Sequence, residues 1–280
     1  MSGMQVAVPL TLSGLWIYPV KSCAGQAVSW AEVRPESGLV GDREWVMLTP
    51  DGRQAWMGEF HRMTLVRATL SAKGLVLSAP GLEDLVVTEA AATRPANVKM
   101  WNDARKEMDV FEGFDAGHRA QAWIHAAIGQ PFRLVRLGPE AIRRSALLPL
   151  HIVAMPSLRD LDRRLSAQGQ GPIAVERFRP NLVIDHGSAA FAEEHFARLE
   201  WQGPVSQVIH VTEACIRCVM PNIDMDDGVA GREPLATVAA LSKGRGLRAP
   251  TFGVCGRADT KGSLFRGMSG MAIPVSSVGN

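Results

Sequence analysis

The chain has 280 residues, of which 46% are hydrophobic and 21% charged, with a formal net charge of +2. It is long enough for one large domain or two ordinary ones, too apolar for disorder, and too near neutrality for a global pull toward nucleic acid or an acidic membrane. Four cysteines are too few for a disulfide scaffold, no run approaches the ~18 apolar residues of a membrane span, and Met1 to Leu10 lacks the regions of a secretory signal. A cytoplasmic enzyme is expected, with no nucleic acid partner and no membrane span.

The first half reads as short strands joined by tight turns. Leu10 to Val20 is an apolar run, and Gln26 to Val33 alternates. Glu44 to Leu48 and Arg53 to Met57 flank Pro50-Asp51-Gly52, which predicts a hairpin. Thr64 to Leu70, Leu75 to Leu77 and Leu85 to Thr88 are further strands. Val98 to Trp101 and Lys106 to Val110 flank Asn102-Asp103, a second hairpin candidate. The period then changes. Asp115 is placed to cap a helix with Ala120, Trp123, Ile124, Ala127 and Ile128 on one face, stopped by Gly129 and Pro131. A boundary falls there, which divides the chain into 1–130 and 131–280.

In the second half, Leu150 to Ala154 is a predicted strand and Pro156 to Gln168 a helix with Leu158, Leu161 and Leu165 on one stripe. Leu182 to Asp185 is a strand, Phe191 to Leu199 is predicted helical, and Val205 to Val211 is a strand ending before a cysteine pair. Glu233-Pro234 opens a helix through Leu241. Thr251 to Val254 and Leu264 to Arg266 close the chain as strands. Many short strands with few helices predict a mainly β fold with α additions (α+β), barrel-like in architecture.

The sharpest chemical feature is Cys215-Ile216-Arg217-Cys218, followed by Val219 to Asp224. A cation next to a thiol favours the thiolate, which is a better nucleophile and metal ligand. A zinc site of the usual kind needs four ligands, and no second cysteine pair is present. A thioredoxin-like pair needs the motif to open a helix, which Pro221 opposes. Spacing alone leaves two readings open: a working thiol, or two small packed residues. Asn222, Asp224, Asp226 and Glu233 mimic a calcium loop, but Asp227 stands where that loop requires glycine, so a hydrogen-bonded turn is expected.

Lys21-Ser22-Cys23 leaves an apolar run, and Asp42-Arg43 lies downstream. A lysine and serine at a strand end can grip a phosphate; Arg43 can equally pair with a neighbouring acid. Phe178-Arg179-Pro180-Asn181 can present donors to a ligand, or simply form a turn. There is no P-loop, no G-x-G-x-x-G, no G-x-S-x-G and no H-E-x-x-H. The seven tryptophans are scattered, not arrayed to stack bases.

Together these segments resemble one family. Leu15 to Gly25, Gly41-Asp42-Arg43, Phe178 to Asn181, Ala214 to Asp224 and Arg232 to Leu235 occur in the order found in MOSC-domain proteins with an N-terminal β-barrel-like domain. Within that group the chain looks like bacterial relatives of the mitochondrial amidoxime-reducing component. The resemblance runs from about Leu12 to Arg266. It implies an N-terminal β-barrel-like domain over 1–130 and a MOSC β-barrel domain over 131–280. The molybdenum cofactor (molybdopterin) would lie between them; pyridoxal phosphate is not expected.

By the same resemblance Cys218 is the metal ligand and catalytic residue. Lys21, Ser22, Arg43, Arg179, Asn181 and Arg217 hold the cofactor. The implied activity is reduction of N-hydroxylated compounds (hydroxylamines, amidoximes, hydroxylated nucleobases) by oxygen abstraction at molybdenum. Electrons are expected from a separate donor: a flavoprotein reductase, a ferredoxin or a b-type cytochrome. The alternative is a sulfur carrier or molybdenum-cofactor carrier using Cys218. Two departures stand out. Ala154-Met155-Pro156 precedes Ser157 where relatives carry polar residues, and Arg266 to Met271 replaces a Val-Gly-Asp turn, which predicts a shorter closing strand.

Overall fold

The computed structural model describes residues 6–35, 37–102, 105–145, 150–203 and 206–275. Strands dominate and helices are few. Seven strands close into a barrel: Leu182–His186, Leu150–Ala154, Thr251–Ala258, Gln207–Ile216, Phe196–Trp201, Ser269–Pro274 and Val8–Ile17, the last returning to pair with the first. All neighbours are antiparallel except Leu150–Ala154 with Leu182–His186, which run parallel. Alternation explains the closure: Leu10, Leu12, Leu15, Ile152, Ile184, Leu199, Ile209, Val254 and Ala272 all bury into one core, as inward positions of a small barrel must.

The first strand belongs to the first half of the sequence yet closes the barrel built from the second. Trp30–Arg34 likewise pairs with Gly262–Phe265. Conversely, Arg133–Leu137 joins Trp45–Leu48, Glu107–Asp115 and Arg94–Asn102 in a four-stranded sheet. A second core under the helix His118–Ile128 gathers Val20, Cys23, Trp45, Met63, Ile124 and Phe132. A third lies beneath the helices Met155–Ser166 and Leu235–Gly244, around Leu158, Leu161, Leu165, Phe178 and Phe252. Among the described residues no helix is long and apolar enough to cross a membrane.

Several sequence expectations shift. The Pro50-Asp51-Gly52 turn forms, with the Gly52 N–H bonded to the Thr49 carbonyl at 2.9 Å. Its second arm lies beside the first, with the Ala55 N–H on the Met47 carbonyl at 2.8 Å, but is not a regular strand: Arg53 and Gln54 make isolated bridges to Lys99 and Leu48. Of the second hairpin candidate, Asp103 lies outside the described residues, as does Val205 at the start of another predicted strand. Asp115 does not cap its helix. It ends a strand, accepts the Gly117 N–H at 2.7 Å and pairs with Arg133, while Gly129 ends the helix in the left-handed conformation.

Phe191 to Leu199 is not helical. It is a short 3-10 turn, Ala192–His195, followed by the strand Phe196–Trp201. The three-residue spacing of Phe196 and Leu199 reads as helical; the strand buries both because its register shifts between Phe196 and Arg198 where it pairs with Ser269–Pro274. The strand that begins at Gln207 does not stop before the cysteines; it runs to Ile216 and includes Cys215. The chain also closes with a six-residue strand, Ser269–Pro274, so the altered turn at Arg266 to Met271 still leaves a full barrel partner.

Candidate functional site

Hydrogen bonds tie four separated segments into one network. Tyr18, directly after the first strand, is fully buried and takes the Asp42 carboxylate on its backbone N–H at 2.7 Å. Arg43 pairs with Asp42, donates to Asn181 Oδ1 at 3.1 Å and to the Arg179 carbonyl at 3.3 Å. Asn181 in turn donates to the Trp16 carbonyl, and its Oδ1 also receives the His151 N–H. Arg179 reaches back to the Cys23 carbonyl at 2.6 Å. Arg217 donates to the carbonyls of Phe252 at 2.9 Å and Phe178 at 3.1 Å, and contacts His151 Nε2.

Aromatic faces support the cations. The guanidiniums of Arg179 and Arg43 lie 4.3 and 5.1 Å from the centroid of the Tyr18 ring. That of Arg217 lies 5.4 Å from the Phe178 ring. A ring quadrupole attracts a cation placed over its face. Burial holds Tyr18 protonated by raising its pKa far above the usual phenol value.

The charge balance is uneven. Arg43 has Asp42, but neither Arg179 nor Arg217 has a carboxylate partner among the described residues; both bind carbonyl oxygens. Burial, together with the Arg43 charge, lowers Arg179 to about 10, and burial also lowers Arg217. Arg179 Nη2 is buried with no hydrogen-bond partner. Desolvated cations left so are costly unless an anion completes them.

The backbone is bent to make this arrangement. Among the described residues only five non-glycines have positive φ, and Ser22, Arg43 and Arg179 are three of them. Left-handed backbone is disfavoured for a residue with a Cβ, and it concentrates where side chains are aimed for function.

The structure therefore brings Arg43, Arg179, Asn181 and Arg217 together. Ser22 is buried beside Cys23, whose carbonyl anchors Arg179. Lys21 leaves the same turn and directs its ammonium to Gln54 Oε1 at 3.2 Å. Cys218 follows Arg217 and is exposed, near enough to the Arg217 guanidinium to act on it electrostatically. Asp224, also a candidate in the sequence, accepts the Asp226 N–H in a turn and lies 3.8 Å from Arg177. Asn222 and Glu233 accept the N–H groups of Leu235 and Thr237 in the first turn of the last helix. The calcium-loop mimic is thus a set of turn and helix-start hydrogen bonds, as expected.

Ser157 is fully committed elsewhere. It is buried, donates to Glu193 and accepts the Phe191 N–H. A groove of about 1030 Å³ runs between the helices Met155–Ser166 and Leu235–Gly244, and no residue of the arginine network lines it.

Sequence reasoning missed Tyr18 and His151. Tyr18 is the single tyrosine of the chain, which was a usable signal. His151 sits in an all-buried strand, and a polar residue in an otherwise apolar strand invites the question of its partner.

A closed barrel flanked by helices, with two buried arginines that have no carboxylate partner among the described residues and an exposed thiol next in sequence to one of them, defines a β-barrel protein of α+β class. The MOSC N-terminal beta barrel domain matches residues 9–131, and the MOSC domain matches residues 141–269. The human mitochondrial amidoxime-reducing component 1 is 32% identical over 250 residues, covering 81% of this chain and 71% of that protein. The rat mitochondrial amidoxime reducing component 2 is 30% identical over 284 residues, covering 91% and 80%. A molybdenum cofactor sulfurase from Oryza sativa subsp. japonica is 27% identical, covering 88% of this chain and 32% of that protein. The chain belongs to the MOSC-domain family that includes the mitochondrial amidoxime-reducing components.

Proposed function

We propose that this chain is a molybdenum-cofactor-dependent oxidoreductase that reduces N-hydroxylated compounds: hydroxylamines, amidoximes and hydroxylated nucleobases. The observation that carries the reading is the pair of arginines, Arg179 and Arg217, left without carboxylate partners. A cofactor bearing a phosphate supplies the missing negative charge. Arg43, Arg179, Asn181 and Arg217 hold it, with Lys21 and Ser22 from the first turn. Cys218 provides the thiolate ligand, and its exposure leaves the ligand open to metal and substrate. The division into 1–130 and 131–280 places cofactor-holding residues in both parts.

When bound, the cofactor supplies a two-electron redox centre. The protein's part is to bind and orient. Asn181 and Asp42 fix Arg43, the Cys23 carbonyl fixes Arg179, and two carbonyls fix Arg217. Each N–O bond reduced consumes two electrons and two protons and releases water. The electrons come from a separate flavoprotein, ferredoxin or b-type cytochrome. Exposure of Cys218 also suits a sulfur carrier, in which that thiol bears a persulfide.

The test is molybdenum content by mass spectrometry, on the full chain from a host that makes the cofactor. Wild type is expected to be near stoichiometric and Cys218→Ser to lack metal. Arg179→Met is expected to weaken binding by about 10- to 100-fold, since a hydrogen bond to a charged group is worth roughly 1.5–3 kcal/mol. Metal-free wild type would sink the reading, and a persulfide on Cys218 in that protein would establish the carrier instead.

A further inference from the structure

His151 stands among apolar residues in the strand Leu150–Ala154, and every residue of that strand is buried. A buried imidazole needs partners for both ring nitrogens. Here they come from two arginine segments of the site. Arg217 Nη2 contacts Nε2 and lies farther from Nδ1, at 3.3 Å. Nδ1 in turn lies 3.3 Å from the Arg179 carbonyl oxygen, which also accepts from Arg43. The backbone is tied in as well: the His151 N–H goes to Asn181 Oδ1 at 3.2 Å, and the His151 carbonyl takes the Asn181 N–H at 2.7 Å. The strand Thr251–Ala258 passes so close to the ring that a Cβ on Gly253 would lie 3.1 Å from Nε2.

These partners fix one form of the ring. A guanidinium only donates, so the nitrogen facing Arg217 must present a lone pair. A carbonyl only accepts, so the nitrogen facing Arg179 must carry the hydrogen. The neutral imidazole protonated at Nδ1 meets both demands. Burial and the Arg217 charge act in the same direction, lowering the pKa of the ring below the ordinary histidine value. Arg217 is then held from three sides: Nε on the Phe252 carbonyl, Nη1 on the Phe178 carbonyl and Nη2 on His151. One N–H on each terminal nitrogen is left for an anion. A carboxylate in the place of His151 would also hold Arg217, but it would cancel the charge that attracts the anion. A neutral acceptor orients the cation and leaves its charge intact.

We propose that His151 is a positioning residue of the cofactor site: as the Nδ1–H tautomer it accepts from Arg217 and aims that guanidinium at the anionic part of the bound group. The identity of that group rests on the proposed function; the pairing of His151 with Arg217 does not. His151 acts through Arg217, so its substitution is read in how the site holds its ligand. Leucine has similar bulk but no acceptor, and it leaves Arg217 Nη2 without this partner. Glutamine keeps both an acceptor for Arg217 and a donor for the Arg179 carbonyl.

The experiment has two arms, both on the full chain. In the first, long-range proton–nitrogen NMR spectra of cofactor-free wild type at neutral pH report which ring nitrogen carries hydrogen; His151 is assigned among the seven histidines by the signals missing from His151→Gln. A protonated Nδ1 and a lone-pair Nε2 are expected. In the second, protein from a host that makes the cofactor is dialysed and its molybdenum followed by mass spectrometry. His151→Leu is expected to release molybdenum about tenfold faster than wild type, the loss of one hydrogen bond to a charged group, while His151→Gln stays within about twofold. Should the leucine variant fail to fold, the spectra of wild type and the glutamine variant's release rate still decide. A hydrogen on Nε2, or glutamine and leucine variants that release metal alike, overturns the proposal. Molybdenum-free wild type with the Nδ1–H tautomer present sinks the cofactor reading and leaves the pairing standing; a hydrogen on Nε2 sinks the pairing whatever the metal content.

Discussion

At the scale of single residues, buried polar groups carry the consequences. Glu193 is wholly buried, receives the Ser157 hydroxyl, and is raised by burial to about 7. Its folded pKa lies above its unfolded value, so the folded state binds the extra proton. Stability from this group is full below the unfolded value of 4.5 and is lost as pH rises through about 7. The loss is about 3 kcal/mol at most. Glu193→Gln is therefore expected to raise the melting temperature at pH 8 and to change it little at pH 4.5. Equal shifts at both pH values in thermal unfolding would contradict the assignment. None of this was legible in the sequence, where Glu193 lies in a stretch read as helix. The arginines were legible only as types: Arg179 and Arg217 announce donors, but their lack of carboxylate partners is a fact of packing.

At the scale of elements, the strand Thr251–Ala258 decides how tightly the site closes. Gly253 has φ of +73°, and a Cβ there would lie 2.3 Å from the Ile152 carbonyl oxygen and 3.1 Å from His151 Nε2. Only glycine permits both the left-handed backbone and this approach. Gly253→Ala is expected to cost on the order of 3 kcal/mol, the upper end for overpacking, and to lower the melting temperature by roughly 5 °C or more. A variant as stable as wild type would show that the strands separate easily here. Elements with one clear period were readable. Leu158, Leu161 and Leu165 made the helix Met155–Ser166 visible, and the apolar block Leu150 to Ala154 is a strand as read. The strand Phe196–Trp201 was misread because a register shift between Phe196 and Arg198 gives its apolar residues a helix-like spacing. Cys215 was placed beyond its strand because the bulge that accommodates it is set by a neighbour, not by local propensity.

At the scale of the whole molecule, the barrel is closed by a strand from the other half of the chain. Val8–Ile17 pairs on one side with Leu182–His186 and on the other with Ser269–Pro274. A fragment spanning 131–280 leaves both of those edges open, and open edges invite aggregation. Such a fragment is expected to lack a cooperative unfolding transition and to associate in gel filtration. A monodisperse, cooperatively folded fragment would contradict this account of the closure. The same crossing builds the site, since Asn181 from the second half bonds Trp16 of the first strand and Arg179 bonds the turn Tyr18 to Cys23 that follows it.

The sequence by itself determined the β-rich character, the order of the motif segments and the types of donor and thiol they carry, because periodicity and residue chemistry are local properties. It also supported the family likeness, since the motifs keep their order along the chain. Only the tertiary structure decided which groups meet. Barrel closure sets registers between strands more than a hundred residues apart, and those registers put His151 opposite Cys255 and Arg179 over Tyr18. Contacts of that separation are fixed by the joint burial of many side chains, so no single stretch of the sequence specifies them.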